Sequence, residues 1–217
     1  MPRESREQLK KRVGKIMRIL ANAYPDADCH LNYSNPLEIS VATILAARCT
    51  DAKVNEVTAS LFKKYQKAGD YAKASQSALE KQIRPTGFYR NKAERLRNFA
   101  SAIVEKHGGN IPDTMEELTA LPGIGRKSAN IILSCVFDKP GIIVDTHVRR
   151  VAPRLGLTME KDAVKIEADL DELVPVRQRA DFSFRLADHG RAVCHPRRPE
   201  CGACPLKDLC PGADAFG

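Results

Sequence analysis

The sequence predicts an all-α fold. Apolar residues recur at three- and four-residue intervals along most of the 217 residues. Capping residues open these stretches, and proline or glycine closes them. The one strand-like run, residues 141–144, is too short to imply a sheet. At 43% hydrophobic, the chain can build one large domain or two small ones around a real core. Mixed charge and ordinary aliphatic content exclude a disordered chain.

Each element has its own justification. Leu9, Val13, Ile16, Met17 and Leu20 fall at helical spacing, and Pro25 closes that segment. Asn35-Pro36 reads as an N-cap with proline at the first helical position, opening a helix to about Ala47. A helix starting near Asp51 would bury Val54, Val57, Leu61 and Phe62. Residues 75–83 form a short helix stopped by Arg84-Pro85-Thr86-Gly87, and 88–106 a long one ended by Gly108-Gly109. Thr114 to Glu117 fits a capping box and opens a helix through Leu121. Pro122-Gly123-Ile124-Gly125 is a tight turn, after which residues 127–137 resume the helix. Asp138-Lys139-Pro140-Gly141 marks a second break and a domain boundary near 138–141. Helices at 146–155, 162–173 and 177–191 complete the chain.

The chain carries 35 basic and 27 acidic residues, a formal net charge of +8. Residues 1–26 and 27–140 each hold +4, and residues 141–217 are balanced. The surplus points to a polyanionic partner, nucleic acid before membrane, since no cationic amphipathic anchor stands out. The longest apolar-compatible run, residues 41–47, falls far short of the ~18 that a membrane span needs. Residues 5–15 lack the apolar core of a secretory signal, and Glu4 and Glu7 argue against a transit peptide. Seven cysteines without a secretion signal argue for a reducing compartment. The expected setting is cytoplasmic, at the nucleoid in a bacterium.

The turn at 121–127 carries the first chemistry. Gly123 and Gly125 permit unusual backbone and leave N–H groups uncovered at a helix start, where they can hold a phosphate. The same turn suits an ordinary αα-hairpin in which glycine only makes the bend. Leu121-Pro122-Gly123-Ile124-Gly125 looks like the hairpin of the helix-hairpin-helix DNA-binding element. Lys127 falls in the first turn of the second helix, beside Arg126. The positive helix end and the neighbouring guanidinium both disfavour its ammonium and favour a nucleophilic amine. The simpler role is a solvated lysine on a phosphate.

Asp145, in Val144-Asp145-Thr146-His147-Val148, stands at a helix start and suits an N-cap. It also suits the carboxylate that an amine nucleophile needs for proton transfer. His147 reads as a packing or capping residue. Cys194-x6-Cys201-x2-Cys204-x5-Cys210 puts four thiols in one short segment. That spacing is a strong metal signal, and four thiolates suit zinc or an iron–sulfur cluster alike. Arg197 and Arg198, in the stiff loop between the first two cysteines, are placed to reach backbone phosphate or simply to solvate the loop. Cys29, Cys49 and Cys135 read as core or near-core thiols.

Together these features resemble the endonuclease III family of DNA base-excision glycosylases. The hairpin through Asn130, the 144–148 segment, the cysteine spacing and Thr86-Gly87-Phe88-Tyr89-Arg90-Asn91-Lys92-Ala93 all match, over about residues 24–210. The resemblance implies two domains: a six-helix domain with the hairpin at 29–139, and an iron–sulfur domain from 1–28 and 140–217. It implies a [4Fe–4S] cluster on Cys194, Cys201, Cys204 and Cys210 that is structural and DNA-positioning. The partner would be damaged double-stranded DNA, bound by a monomer. Lys127 would attack C1′ of a flipped nucleotide, with Asp145 assisting, and β-elimination would cut the strand. The substrates would be oxidised pyrimidines and abasic sites. Relatives that remove adenine carry a non-lysine at the position of Lys127 and append a C-terminal domain. Here the chain runs only seven residues past Cys210.

One segment departs from the family. Leu45-Ala46-Ala47-Arg48-Cys49-Thr50-Asp51 has Arg48 where relatives use a glutamine near the gap left by the flipped base. Arg48 would contact the opposite base or a phosphate. Phe88 falls at the family's second inserted position and would stack on bases, or pack at its helix start. A non-catalytic or monofunctional DNA-binding relative with altered lesion specificity is the alternative. The presence of both Lys127 and Asp145 counts against a non-catalytic binder.

Overall fold

The structure, a computed structural model, describes residues 4–213. Eleven α-helices follow in chain order among them: α1 (Arg6–Ala23), α2 (Pro36–Leu45), α3 (Asp51–Lys64), α4 (Ala68–Lys73), α5 (Gln76–Ile83), α6 (Tyr89–His107), α7 (Met115–Thr119), α8 (Arg126–Val136), α9 (Thr146–Arg154), α10 (Ala163–Leu173) and α11 (Arg179–Ala192). No strand occurs among the described residues. No helix is long and apolar enough to cross a membrane. The chain divides into two compact units: Cys29–Lys139, and a second built from the chain up to Asp28 and from Pro140 onward.

In Cys29–Lys139, side chains start the helices as the sequence suggests. Asn35, Thr50, Ser75 and Thr114 accept the N–H of Glu38, Lys53, Ala78 and Glu117, each cap adding about 1 kcal/mol. α6 is the spine, packed against α2, α4 and α5. Its Leu96, Phe99 and Ile103 are fully buried, worth roughly 1.5–3 kcal/mol apiece. α8 packs on α2 and α7. The unit holds seven α-helices rather than the six that the resemblance implies. The unforeseen one is α4, six residues long and too short to declare a period; its Tyr71 is buried and stacks on Tyr65, ring centroids 5.0 Å apart. α7 stops at Thr119, leaving Leu121 buried in the turn that follows. Phe62 is half-buried, not core. Cys29, Cys49 and Cys135 are likewise half-buried.

In the other unit, α1 lays Val13, Ile16 and Leu20 into a core with Val148, Leu170 and Phe182. This joins sequence ends more than a hundred residues apart. Arg12 fastens the seam, donating from Nη1 to the carbonyls of Leu155 (2.6 Å) and Leu209 (3.0 Å). The run 141–144 forms no strand among the described residues. The Ile143 N–H donates instead to Ser183 Oγ at 2.9 Å. α9 and α11 approach so closely at Gly190 that a Cβ there would lie 2.9 Å from His147 Cβ.

Candidate functional site

The turn between α7 and α8 is closed by the Ile124 N–H donating to the Leu121 carbonyl at 3.2 Å, with both side chains buried. Gly123 sits at φ +86°, a conformation that favours glycine. Gly125 is extended, φ −100°, so it uses none of the freedom that glycine offers. A Cβ at Gly125 would meet no protein atom within 4 Å. Neither backbone strain nor internal packing therefore requires this glycine. Gly125 is also the N-cap of α8 and supplies no side-chain hydrogen bond. The first N–H groups of α8 thus receive no bond from an N-cap side chain, which suits an anion site. Arg126 and Lys127 are both exposed in this first turn. Lys127 makes no hydrogen bond or ion pair among the described residues.

The second exposed feature of this unit is a pair of loops. Arg48 follows α2 at φ +55°, and Phe88 precedes α6 at φ +49°. For residues with a Cβ, left-handed backbone costs roughly 1–2 kcal/mol each. The Arg48 guanidinium lies over the Phe88 ring, 5.3 Å from its centroid. Phe88 is nevertheless 59% exposed, so it is not a core side chain. Beneath them Lys92, only 3% exposed, donates from Nζ to the carbonyls of Leu45 and Thr86, both at 2.8 Å. Burial pulls its ammonium below the usual lysine range. The sequence reading passed over Lys92. The signal was present, since Lys92 occupies the first position of the buried 92, 96, 99, 103 stripe of α6.

In the other unit, Asp145 caps α9. Its Oδ1 accepts the N–H groups of His147 and Val148, both at 2.8 Å. Oδ2 takes no partner among the described residues. The His147 Nδ1 lies 3.1 Å from Arg150 Nη2. Arginine only donates, so this approach favours a neutral imidazole with Nδ1 as acceptor. Burial pushes His147 down from the usual histidine range in the same sense.

Cys194, Cys201, Cys204 and Cys210 line one apolar pocket. Two arginines one turn apart on α9 hold the loop. Arg150 Nε donates to the Cys194 carbonyl at 3.0 Å. Arg154 donates to the carbonyls of His195 (2.7 Å) and Pro196 (3.1 Å) and to Cys194 Sγ (3.4 Å). The backbone of Gly212 returns to the Arg154 carbonyl at 3.2 Å. Buried His189 sits with Nδ1 3.1 Å from the Tyr24 hydroxyl and Nε2 3.7 Å from Cys204 Sγ. Burial pushes the Cys204 and Cys210 thiols up. Arg197 and Arg198 are exposed on the loop's outer face, Arg198 at φ +53°. Sequence reasoning foresaw the four cysteines but missed Arg150, Arg154 and His189. The i, i+4 arginine pair was the visible clue.

Two family models match this chain. Residues 41–176 match the HhH-GPD superfamily of base excision DNA repair proteins. Residues 194–210 match the iron-sulfur binding domain of endonuclease III. The endonuclease III of Synechocystis sp. is 46% identical over 207 residues, covering 95% of this chain and 94% of the relative. A solved non-covalent endonuclease III–DNA complex superposes with a TM-score of 0.90 at 38% identity, covering 95% of this chain and 97% of the other. A trapped endonuclease III–DNA covalent intermediate, an estranged-adenine complex, matches with the same TM-score, identity and coverage.

Proposed function

This chain belongs to the endonuclease III family of the HhH-GPD superfamily of base excision DNA repair proteins; from that premise we propose that it acts on oxidised or ring-saturated pyrimidines and abasic sites in duplex DNA, with Lys127 as nucleophile. It is a DNA glycosylase and AP lyase carrying an iron–sulfur cluster. The observation that supports the role of Lys127 is its setting: an exposed amine one residue into α8, with no hydrogen bond or ion pair among the described residues, at a helix start whose N-cap supplies no side-chain bond.

The chemistry then runs through this chain's own side chains. Phosphate bound at Gly123, Gly125 and Arg126 fixes the strand without reading its sequence. A nucleotide is turned out of the duplex, and Arg48 and Phe88 fill the gap it leaves. The free amine of Lys127 attacks C1′. The bond from C1′ to the base breaks, its electron pair leaves with the base, and the base takes up a proton. Asp145 receives the proton that the Lys127 nitrogen gives up. Its Oδ1 is committed to the α9 cap, which leaves Oδ2 for this transfer. The C1′–O4′ bond then breaks, O4′ keeping the electron pair and taking up a proton, and the protonated C1′ imine that results acidifies C2′. Loss of a C2′ proton expels the 3′ phosphate with its electron pair and cuts the strand 3′ to the lesion.

We assign the cluster as [4Fe–4S], held by Cys194, Cys201, Cys204 and Cys210. The four thiols line one pocket, and four thiolates suit such a cluster. When bound, the cluster supplies iron–thiolate bonds that fix the loop carrying Arg197 and Arg198 toward backbone phosphate.

The test compares duplexes carrying an oxidised thymine with duplexes carrying an alkylated purine. Base release and strand cleavage are expected on the first. Asp145→Asn should slow both by about 10²–10⁴-fold while duplex binding persists. Release of the alkylated purine alone would overturn the substrate class.

A further inference from the structure

Lys92 belongs to neither the hairpin nor the cysteine loop, and its burial needs a reason. An ammonium is among the most expensive groups to bury, and a methionine or leucine would continue the apolar stripe of α6 at this position. Its two bonds go to two different loops: the Leu45 carbonyl, three residues before Arg48, and the Thr86 carbonyl, two residues before Phe88. Both loops then turn into left-handed backbone at a residue that has a Cβ. Both present those residues outward, with the guanidinium against the ring. Left-handed non-glycine residues persist only where surrounding contacts hold them. The shared contact here is Lys92.

We propose that Lys92 is a positioning residue that locks the two loops together, so that Arg48 and Phe88 enter the DNA as one rigid wedge. The inference rests on the reading above that Arg48 and Phe88 fill the gap left by the flipped nucleotide. Lys92 touches neither substrate nor lysine nucleophile. It acts through the register of the loops, so its loss affects base extrusion more than chemistry at C1′.

The experiment uses the full-length protein with its cluster, in Lys92→Met, Phe88→Ala, Arg48→Ala and the Lys92→Met/Phe88→Ala double variant. Extrusion is read from the fluorescence of a 2-aminopurine beside an oxidised thymine. Single-turnover base release is followed on the same duplex, and strand cleavage on a preformed abasic site. Thermal melting accompanies each variant. The expected result is that Lys92→Met lowers extrusion and base release about tenfold or more, a displaced reacting geometry being this costly, while abasic-site cleavage stays within about twofold. In the Phe88→Ala background, Lys92→Met should add little, as expected of groups acting as a unit. Equal losses on both substrates, full additivity in the double variant, or no effect of Lys92→Met while Phe88→Ala is impaired would each overturn the lock and leave the wedge standing. If Phe88→Ala and Arg48→Ala both extrude normally, the wedge reading fails and the lock with it. Should Lys92→Met not fold, Lys92→Arg, which keeps donors in a larger head, is judged by the same selective loss.

Discussion

The turn at 120–125 and the loop at 194–210 treat their backbone in opposite ways. At the turn, Gly125 offers no cap, and nothing in the protein crowds the place where its Cβ would be. In the cysteine loop, carbonyl after carbonyl is taken by Arg12, Arg150 and Arg154, and a Cβ on Gly212 would strike the Arg154 carbonyl at 2.7 Å. The first region leaves donors open for something outside the protein. The second closes its polar groups inward around a cavity. Glycine therefore means two different things in one chain: access at position 125, and close packing at position 212.

Substitutions can break that contrast. The largest effect should come from Cys204→Ala. Without one of the four thiolates, bound iron and visible absorbance are lost, and stability falls by several kcal/mol, since metal-binding free energy is folding free energy at such sites. Iron analysis and thermal melting check it. A variant that keeps both its iron and its melting temperature would mean that the loop is not the cluster site. Next is Gly212→Ala, which must displace the Arg154 carbonyl and should cost about 1–3 kcal/mol with duplex affinity little changed. Gly125→Ala is its mirror image: melting should stay within about 0.5 kcal/mol, while affinity for any duplex drops, independent of sequence, because a phosphate contact is lost. A melting loss at 125 matching that at 212 would erase the distinction. The smallest effect is Thr114→Ala, a cap deletion worth about 1 kcal/mol of stability, with binding intact.

The sequence made much of this legible because its signals are local. Asn35-Pro36, Thr50 and Ser75 each declare a helix start through bonds reaching three residues. The cysteine spacing and the glycine turn are local in the same way. What stayed hidden is long-range. Lys92 reaches Leu45 across 47 positions. Arg154 reaches His195 across 41. Tyr24 meets His189 across 165. No periodicity encodes such pairs, although a lysine inside an apolar stripe already asks for a partner. Asp145 is an instructive middle case. Its capping role was readable and is present, carried by Oδ1 alone, while the proton-transfer role remains a proposal.

The most direct test of the account is covalent trapping. Wild-type protein and Lys127→Ala are mixed with duplex DNA carrying an abasic site, and borohydride is added. The account predicts a stable protein–DNA adduct for the wild type and none for Lys127→Ala, with melting unchanged because the side chain is exposed and makes no bond among the described residues. An adduct of equal yield in Lys127→Ala would contradict it, moving the nucleophile to another amine and reducing Lys127 to a phosphate contact.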